Sequence, residues 1–125
     1  MMPCRLRVLV VDDHPGMLRA VCRLLELDYE VVGTLAVGCG LLEAAQELQP
    51  DVIVLDLNLP DSDGLTLCRQ VMEKHARIKV ILFTAMEDPE IRRLAFEAGA
   101  AAFVHKLALD DDLLSALERL DGNSN

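Results

Sequence analysis

The chain has no tryptophan, one tyrosine and three phenylalanines. A core of stacked aromatics is therefore excluded, and the interior must be built from Leu, Val, Ile and Ala. Positive charge is also scarce: 12 Lys and Arg stand against 21 Asp and Glu, for a net charge of −9. Such a domain repels phosphate backbones and anionic lipid, so direct nucleic-acid or membrane binding by this chain is not expected. No apolar run approaches the roughly 20 residues of a membrane-spanning helix. The short run before Asp12 is preceded by Arg5 and broken at Arg7, which does not read as a secretory signal, and a cytoplasmic location is expected. The four cysteines, Cys4, Cys22, Cys39 and Cys68, include no C-x-x-C pair, so zinc has no local spacing in its favour. They read as buried free thiols of a reducing compartment. Internal repeats and long linkers are lacking as well.

What is present is globular: 52% hydrophobic residues in a chain of 125, long enough for one domain that buries roughly two thirds of its unfolded surface without a metal or disulfide. The expected domain spans residues 1–125, with a core from about 5 to 120 and residues 121–125 as a tail or the start of a linker. Short apolar runs at Leu6–Val11, Tyr29–Leu35, Val52–Leu55, Lys79–Phe83 and Ala101–Val104 predict strands. Several lack polar alternation, as strands buried on both faces do. Between them lie helix-spaced apolar sets: Met17, Leu18, Val21, Leu24 and Leu25; Leu41, Leu42, Ala45 and Leu48, followed by Pro50; Leu67, Cys68, Val71 and Met72. A fourth helix starts near Pro89 and stops near Gly99. A fifth, behind the acidic start Asp110–Asp112, carries Leu113, Leu114, Leu117 and Leu120. Five βα units in succession predict an α/β fold, a doubly wound parallel sheet with helices on both faces.

The chemistry collects at the strand ends. The first strand runs into Asp12 and Asp13, the third into Asp56, the fourth into Thr84 and the fifth into Lys106. In an open parallel sheet these carboxyl ends share one edge, where ligands bind. Three carboxylates, a hydroxyl and an ammonium should therefore meet. Close carboxylates repel unless a cation lies among them, and Mg²⁺ takes oxygen ligands. A carboxylate can also attack phosphorus and form an acyl phosphate, a reaction governed by positioning and charge neutralisation. Each residue alone reads equally well as a cap, turn or surface charge; the joint pattern does not.

The segments VLVVDDHP, VIVLDLNLPDSDG, ILFTA and AAFVHK resemble the motifs of response-regulator receiver domains, and the resemblance runs from Arg5 to about Leu120. It implies a flavodoxin-like (βα)₅ fold with strand order 2-1-3-4-5. It further implies that Asp56 accepts a phosphoryl group from a phospho-histidine of a sensor histidine kinase or phosphotransfer protein. Asp13 and Asp56 would be direct Mg²⁺ ligands with the Asn58 carbonyl, and Asp12 would act largely through water. Lys106, the Thr84 hydroxyl and the Ala85 N–H would contact the phosphoryl group. Thr84 and Phe103 would form the switch pair, read out by the fourth helix, fifth strand and fifth helix, and homodimerisation on activation is allowed for. Activity would be limited to Mg²⁺-dependent self-phosphorylation and autodephosphorylation.

Two departures stand out. Leu107 follows the lysine where the family often has Pro in a cis bond, and a non-proline cis bond costs about 2.5–4 kcal/mol. Phe103 lacks the hydroxyl of the common Tyr. Asp-Asp-His-Pro at 12–15 resembles the subgroup that usually carries a C-terminal helix-turn-helix DNA-binding domain, which implies transcription control. His14 reads as a loop residue beside acids, His75 as a solvated helix end and His105 as a strand residue facing away from the pocket. Gly38-Cys39-Gly40 lacks the third glycine of a dinucleotide fingerprint and reads as a helix start. Two rival functions remain: a small aspartyl-phosphate phosphohydrolase, disfavoured because no second acid stands two positions after Asp56, and an unphosphorylated pseudo-receiver, disfavoured by the complete residue set.

Overall fold

Five short runs form the five strands, those at Arg7–Val11, Val52–Asp56 and Lys79–Thr84 made mostly of β-branched residues and leucine. The computed structural model describes residues 5–86 and 88–122, without the side chains of 121 and 122. In chain order the elements are β1 (Arg7–Val11), α1 (Pro15–Leu25), β2 (Glu30–Leu35), α2 (Leu41–Leu48), β3 (Val52–Asp56), α3 (Gly64–Lys74), β4 (Lys79–Thr84), α4 (Pro89–Glu97), β5 (Ala102–His105), a 3₁₀ turn (Lys106–Ala108) and α5 (Leu109–Gly122). All strand pairs are parallel and the order is β2-β1-β3-β4-β5, as expected. Boundaries shift by one or two residues. β3 and β4 each extend to include Asp56 and Thr84, and β5 runs one residue later than expected.

The strands alternate between two buried layers. Leu9, Val11, Ile53, Leu55, Val80 and Leu82 pack with Leu41 and Ala45 of α2, Leu67, Cys68 and Val71 of α3 and Ala95 of α4. Val8, Val10, Val52, Val54, Ile81 and Phe83 pack with Val21 and Leu25 of α1 and Leu113, Ala116 and Leu117 of α5. Both faces are covered, so the central strands need no polar alternation. Each fully buried aliphatic side chain contributes about 1.5–3 kcal/mol.

The helix starts follow the local chemistry. Pro15 and Pro89 occupy first-turn positions, and the carboxylates of Asp63 and Asp88 accept the N–H groups of Leu65 and Glu90 as N-caps. The Gly38-Cys39-Gly40 segment is indeed a helix start: Gly40, at φ 90°, precedes α2. The cysteine expectation needs correction. Cys22 and Cys68 are free and at least half-buried, but Cys39, between the two glycines of that turn, is exposed. Cys4 lies outside the described residues. No helix among the described residues is long and apolar enough to cross a membrane.

Candidate functional site

The register of the sheet carries the polar groups to one edge. Val10 is level with Val54, and Asp56 is level with Phe83, so Asp12, just past β1, and Asp56, at the end of β3, stand on adjacent strands. Thr84 ends β4 level with His105, which puts Lys106 one residue beyond it. Asp12, Asp56 and Thr84 are the buried polar residues of the described chain, at 0%, 1% and 0% exposure.

Lys106 ties the pocket together. Its Nζ lies 3.3 Å from Asp56 Oδ2 and 3.4 Å from Asp12 Oδ2, and 5.0 Å above the Phe83 ring. Asp56 Oδ1 accepts the backbone N–H of Asn58 at 3.0 Å. Burial pushes the Asp56 carboxyl above its ordinary range. The Asn58 N–H and the Lys106 ammonium oppose that shift, and neighbouring Asp12 reinforces it. The loop after Asp56 is held close. Gly64 donates its N–H to Leu57 O at 2.9 Å, and a Cβ on Gly64 would lie 2.7 Å from Leu57 Cα and 2.9 Å from Asp56 O. Only glycine permits that approach.

Asp13 is partly exposed, and its Oδ1 lies 3.2 Å from His14 Nδ1. Two buried carboxylate oxygens, Asp12 Oδ2 and Asp13 Oδ1, lack a hydrogen bond. The 3.4 Å approach of Lys106 to the first is an ion-pair distance only. One ligand atom from each of Asp12, Asp13, His14 and Asp56 falls within 4.8 Å of the others. Unsatisfied buried oxygens in a mainly carboxylate donor set, with more negative charge than one ammonium can balance, fit a hard divalent cation.

The expected switch pair is also placed. The Thr84 hydroxyl accepts the Met86 N–H at 3.1 Å and the Asn58 side-chain amide at 3.4 Å. Ala85 follows it, exposed, at the rim. Phe103 is half-buried against the α2–α3–α4 layer, and the Arg92 guanidinium lies 5.8 Å from its ring centre and 5.4 Å from that of Phe96. The described peptide bonds are all trans. Leu107 instead uses an N–H that proline would lack, donating it to His105 Nδ1 at 3.1 Å to cap the 3₁₀ turn. His75 ends α3, half-buried, beside a cavity of about 520 Å³ lined by Gln49, Asp51, Lys74 and Arg77, which shares no residue with the acidic pocket.

Sequence reasoning missed two features. His14 reaches both Asp12 and Asp13, at 3.2 Å each; its adjacency to the acids was the available signal. Asp61 clamps the preceding loop, its Oδ1 accepting Gly38 N–H at 2.8 Å and its Oδ2 accepting Cys39 N–H at 2.9 Å. No local pattern signals a partner 22 or 23 residues away.

The comparisons with known proteins agree with this geometry. The response regulator receiver domain model matches residues 8–118. The response regulator GacA of Pseudomonas viridiflava is 35% identical over 114 residues, covering 90% of this chain and 53% of the relative. The chain thus spans about half the length of the curated relatives it matches. The receiver domain of the response regulator NarL from Mycobacterium tuberculosis superposes with a TM-score of 0.88 at 33% identity, over 96% of this chain and 99% of that one. RcsB from Salmonella enterica serovar Typhimurium, bound to promoter P1flhDC in the presence of phosphomimetic BeF3−, superposes with a TM-score of 0.87 at 26% identity, over 95% and 61%. The strand order, the converging acids and these matches together make the chain a member of the response regulator receiver domain family.

Proposed function

We propose that the chain is a phosphorylation-driven switch in which Asp56 is the phosphoacceptor. The observation that carries this reading is the placement of Lys106 between Asp56 and Asp12, beside two buried carboxylate oxygens without hydrogen bonds. An Asp56 carboxylate oxygen attacks the phosphorus of a phospho-histidine on a sensor kinase or phosphotransfer protein. The P–N bond breaks, the imidazole keeps that electron pair, and an acyl phosphate forms on Asp56. Lys106 neutralises charge on the incoming group, while Thr84 and the Ala85 N–H serve its remaining oxygens. Asp13, Asp56 and the Asn58 carbonyl would hold Mg²⁺, with Asp12 acting through water. A bound Mg²⁺ supplies charge neutralisation at a phosphoryl oxygen. Autodephosphorylation by water at the same centre belongs to this reading.

Rotation of the Thr84 hydroxyl toward the phosphoryl group would release Met86 N–H, and Phe103 would follow inward, altering the α4–β5–α5 face. The promoter-bound RcsB neighbour supports transcription control, through a DNA-binding domain outside this chain; homodimerisation on activation belongs to the same reading. Residues 1–125 would form the receiver module of such a cytoplasmic regulator. Incubation with acetyl phosphate and Mg²⁺, followed by intact mass measurement, tests the assignment. One base-labile phosphoryl group is expected on the parent and none on Asp56→Asn. Labelling of both at the same rate would overturn it.

A further inference from the structure

A histidine outside the acidic pocket holds the segment that carries Lys106. His105 ends β5, its backbone level with Thr84 of β4. Beyond it the chain leaves the sheet, and Leu109 is the next residue buried in an apolar layer. Leu107 gives this stretch no packing, because its side chain is 91% exposed. What ties the Leu107 peptide is the His105 ring, whose Nδ1 accepts the Leu107 N–H at 3.1 Å and caps the 3₁₀ turn. That hydrogen bond closes from the second residue back to the first and encloses Lys106. Asp63 and Asp88 make the same closure at the starts of α3 and α4, each with a carboxylate. Lys106 depends on a fixed base, because its Nζ must fall between two carboxylates, 3.3 Å from Asp56 Oδ2 and 3.4 Å from Asp12 Oδ2.

We propose that His105 is a positioning residue for phosphoryl transfer: its neutral ring holds the Lys106 turn in place, and protonation at Nδ1 releases it. This inference rests on reading Lys106 as the group that neutralises charge on the incoming phosphoryl group. Nδ1 accepts a hydrogen bond only while it carries no proton, so the neutral ring has its proton on Nε2. When the ring gains a second proton both nitrogens become donors, and the Leu107 N–H loses its acceptor. An amide cap at this position would remain an acceptor, whereas histidine is the side chain whose charge ordinarily changes between about pH 5 and 8. The ring is half-buried and lines an open cavity of about 280 Å³ between the start of α4 and the start of α5, which gives protons access to it. The charged groups lining that cavity with it are Asp88 and Arg92 on the α4 side and Asp112 of α5; Lys106 is its neighbour in the chain. Loss of a side-chain cap lowers the population of a capped turn by about two- to tenfold. The rate of transfer falls with it, because the fraction of molecules that presents Lys106 correctly falls.

Initial rates of self-phosphorylation by acetyl phosphate and Mg²⁺ test the proposal, measured on the full chain for the parent, His105→Leu and His105→Asn at about pH 5.5 and about pH 8. The effects of pH on the donor, on Asp56 and on the cation are common to the three proteins and cancel in the rate ratios. At the higher pH His105→Leu should be about two- to tenfold slower than the parent. At the lower pH the two should converge, because the parent has then lost its cap as well. His105→Asn keeps a carbonyl acceptor that does not titrate in this range. It should match the parent at the higher pH and outpace it at the lower. ¹⁵N spectra of the parent's histidine rings should show His105 as the Nε2–H tautomer at the higher pH. Equal rates for the parent and His105→Leu at the higher pH, rate ratios that do not change with pH, or an Nδ1–H tautomer would overturn the proposal. Should His105→Leu fail to fold, the ratio of His105→Asn to parent and the tautomer decide it. A parent that took no phosphoryl group at either pH would remove the phosphoacceptor reading and this inference with it. A labelled parent with constant ratios would remove this inference alone.

Discussion

At the scale of single residues, the pocket is governed by charge held out of water. Asp12 and Asp56 are buried, and Asp13 adds a third carboxylate against the one ammonium of Lys106. Two unit charges about 5 Å apart at an effective dielectric near 20 repel by about 3 kcal/mol. Solvent at the open mouth cuts this to about 1 kcal/mol. The unfolded chain separates Asp12 and Asp13 from Asp56, so part of that repulsion belongs to the fold. Asp13→Asn should therefore raise the melting temperature of the chelator-treated protein by a few degrees and abolish the further rise that Mg²⁺ produces in the parent. Thermal melts in EDTA and in millimolar Mg²⁺ check both; an equal Mg²⁺-dependent rise in parent and variant removes Asp13 from the ligand set. Thr84 poses a different case. Its hydroxyl serves Met86 and Asn58 before any phosphoryl group arrives, and a hydrogen bond to a charged acceptor contributes about 1.5–3 kcal/mol. Thr84→Ala should accept phosphate from acetyl phosphate while losing most of the phosphorylation-dependent change in the spectra of the α4–β5–α5 face. A variant that takes no label would place Thr84 in the transfer step instead.

At the scale of elements, the loops that carry the site are braced by contacts to other loops. The segment between β3 and α3 is pinned at three places. Asn58 bonds back to Asp56, Gly64 lies on Leu57, and the Asp61 carboxylate accepts two N–H groups of the turn before α2. The Gly38 N–H, with smaller help from Cys39, holds the Asp61 carboxyl below its ordinary 3.8. A folded-state value that is lowered contributes stability above the unfolded value, and that stability is lost as pH falls through the folded one. Asp61→Asn should thus lower the melting temperature near neutral pH, with the gap to the parent closing below about pH 3.8. A gap independent of pH would show that packing, not charge, is what Asp61 supplies. Leu107 shows the same dependence on neighbours. Its N–H is fixed by the His105 ring, which explains how a turn that the family often builds with proline is built here without it.

For the whole molecule, stability rests on two apolar layers clamped on one sheet, and a titratable group inside a layer links that stability to pH. Cys68 of α3 is buried in the α2–α3–α4 layer, where its thiol lies 3.6 Å from Ala98 O beyond α4. Burial pushes that thiol up to about 11, with a small opposing pull from Arg69. A folded-state value raised above the unfolded one gives stability that is complete below the unfolded value, near 9, and lost as pH rises through the folded one. The protein should therefore lose stability between about pH 9 and 11, and Cys68→Ala should show a flatter alkaline limb from a lower starting point, because the smaller side chain leaves a cavity. Denaturant titrations at pH 8 and pH 10.5 distinguish this from general alkaline unfolding, which would lower both proteins equally.

Strands, helix faces and the polar residues of the site were legible in the sequence because each follows from a short-range signal, whereas the strand order followed only from the family resemblance. Unbroken apolar runs mark strands covered on both faces, 3.6-residue spacing marks the helices, and a polar residue closing each run marks the sheet edge. The sequence alone thus determined that Asp12, Asp13, Asp56, Thr84 and Lys106 would share one end of a parallel sheet. It did not determine how those groups are bonded, because that depends on distances between atoms far apart in the chain. Only the tertiary structure decided that Lys106 spans Asp12 and Asp56, that two carboxylate oxygens are left without hydrogen bonds, and that Asp61 ties one loop to another. The turn of His14 toward both acids was decided there too. A side chain's partners are selected by which distant residues the strand register and loop packing bring beside it, and that is not written in any local run of residues.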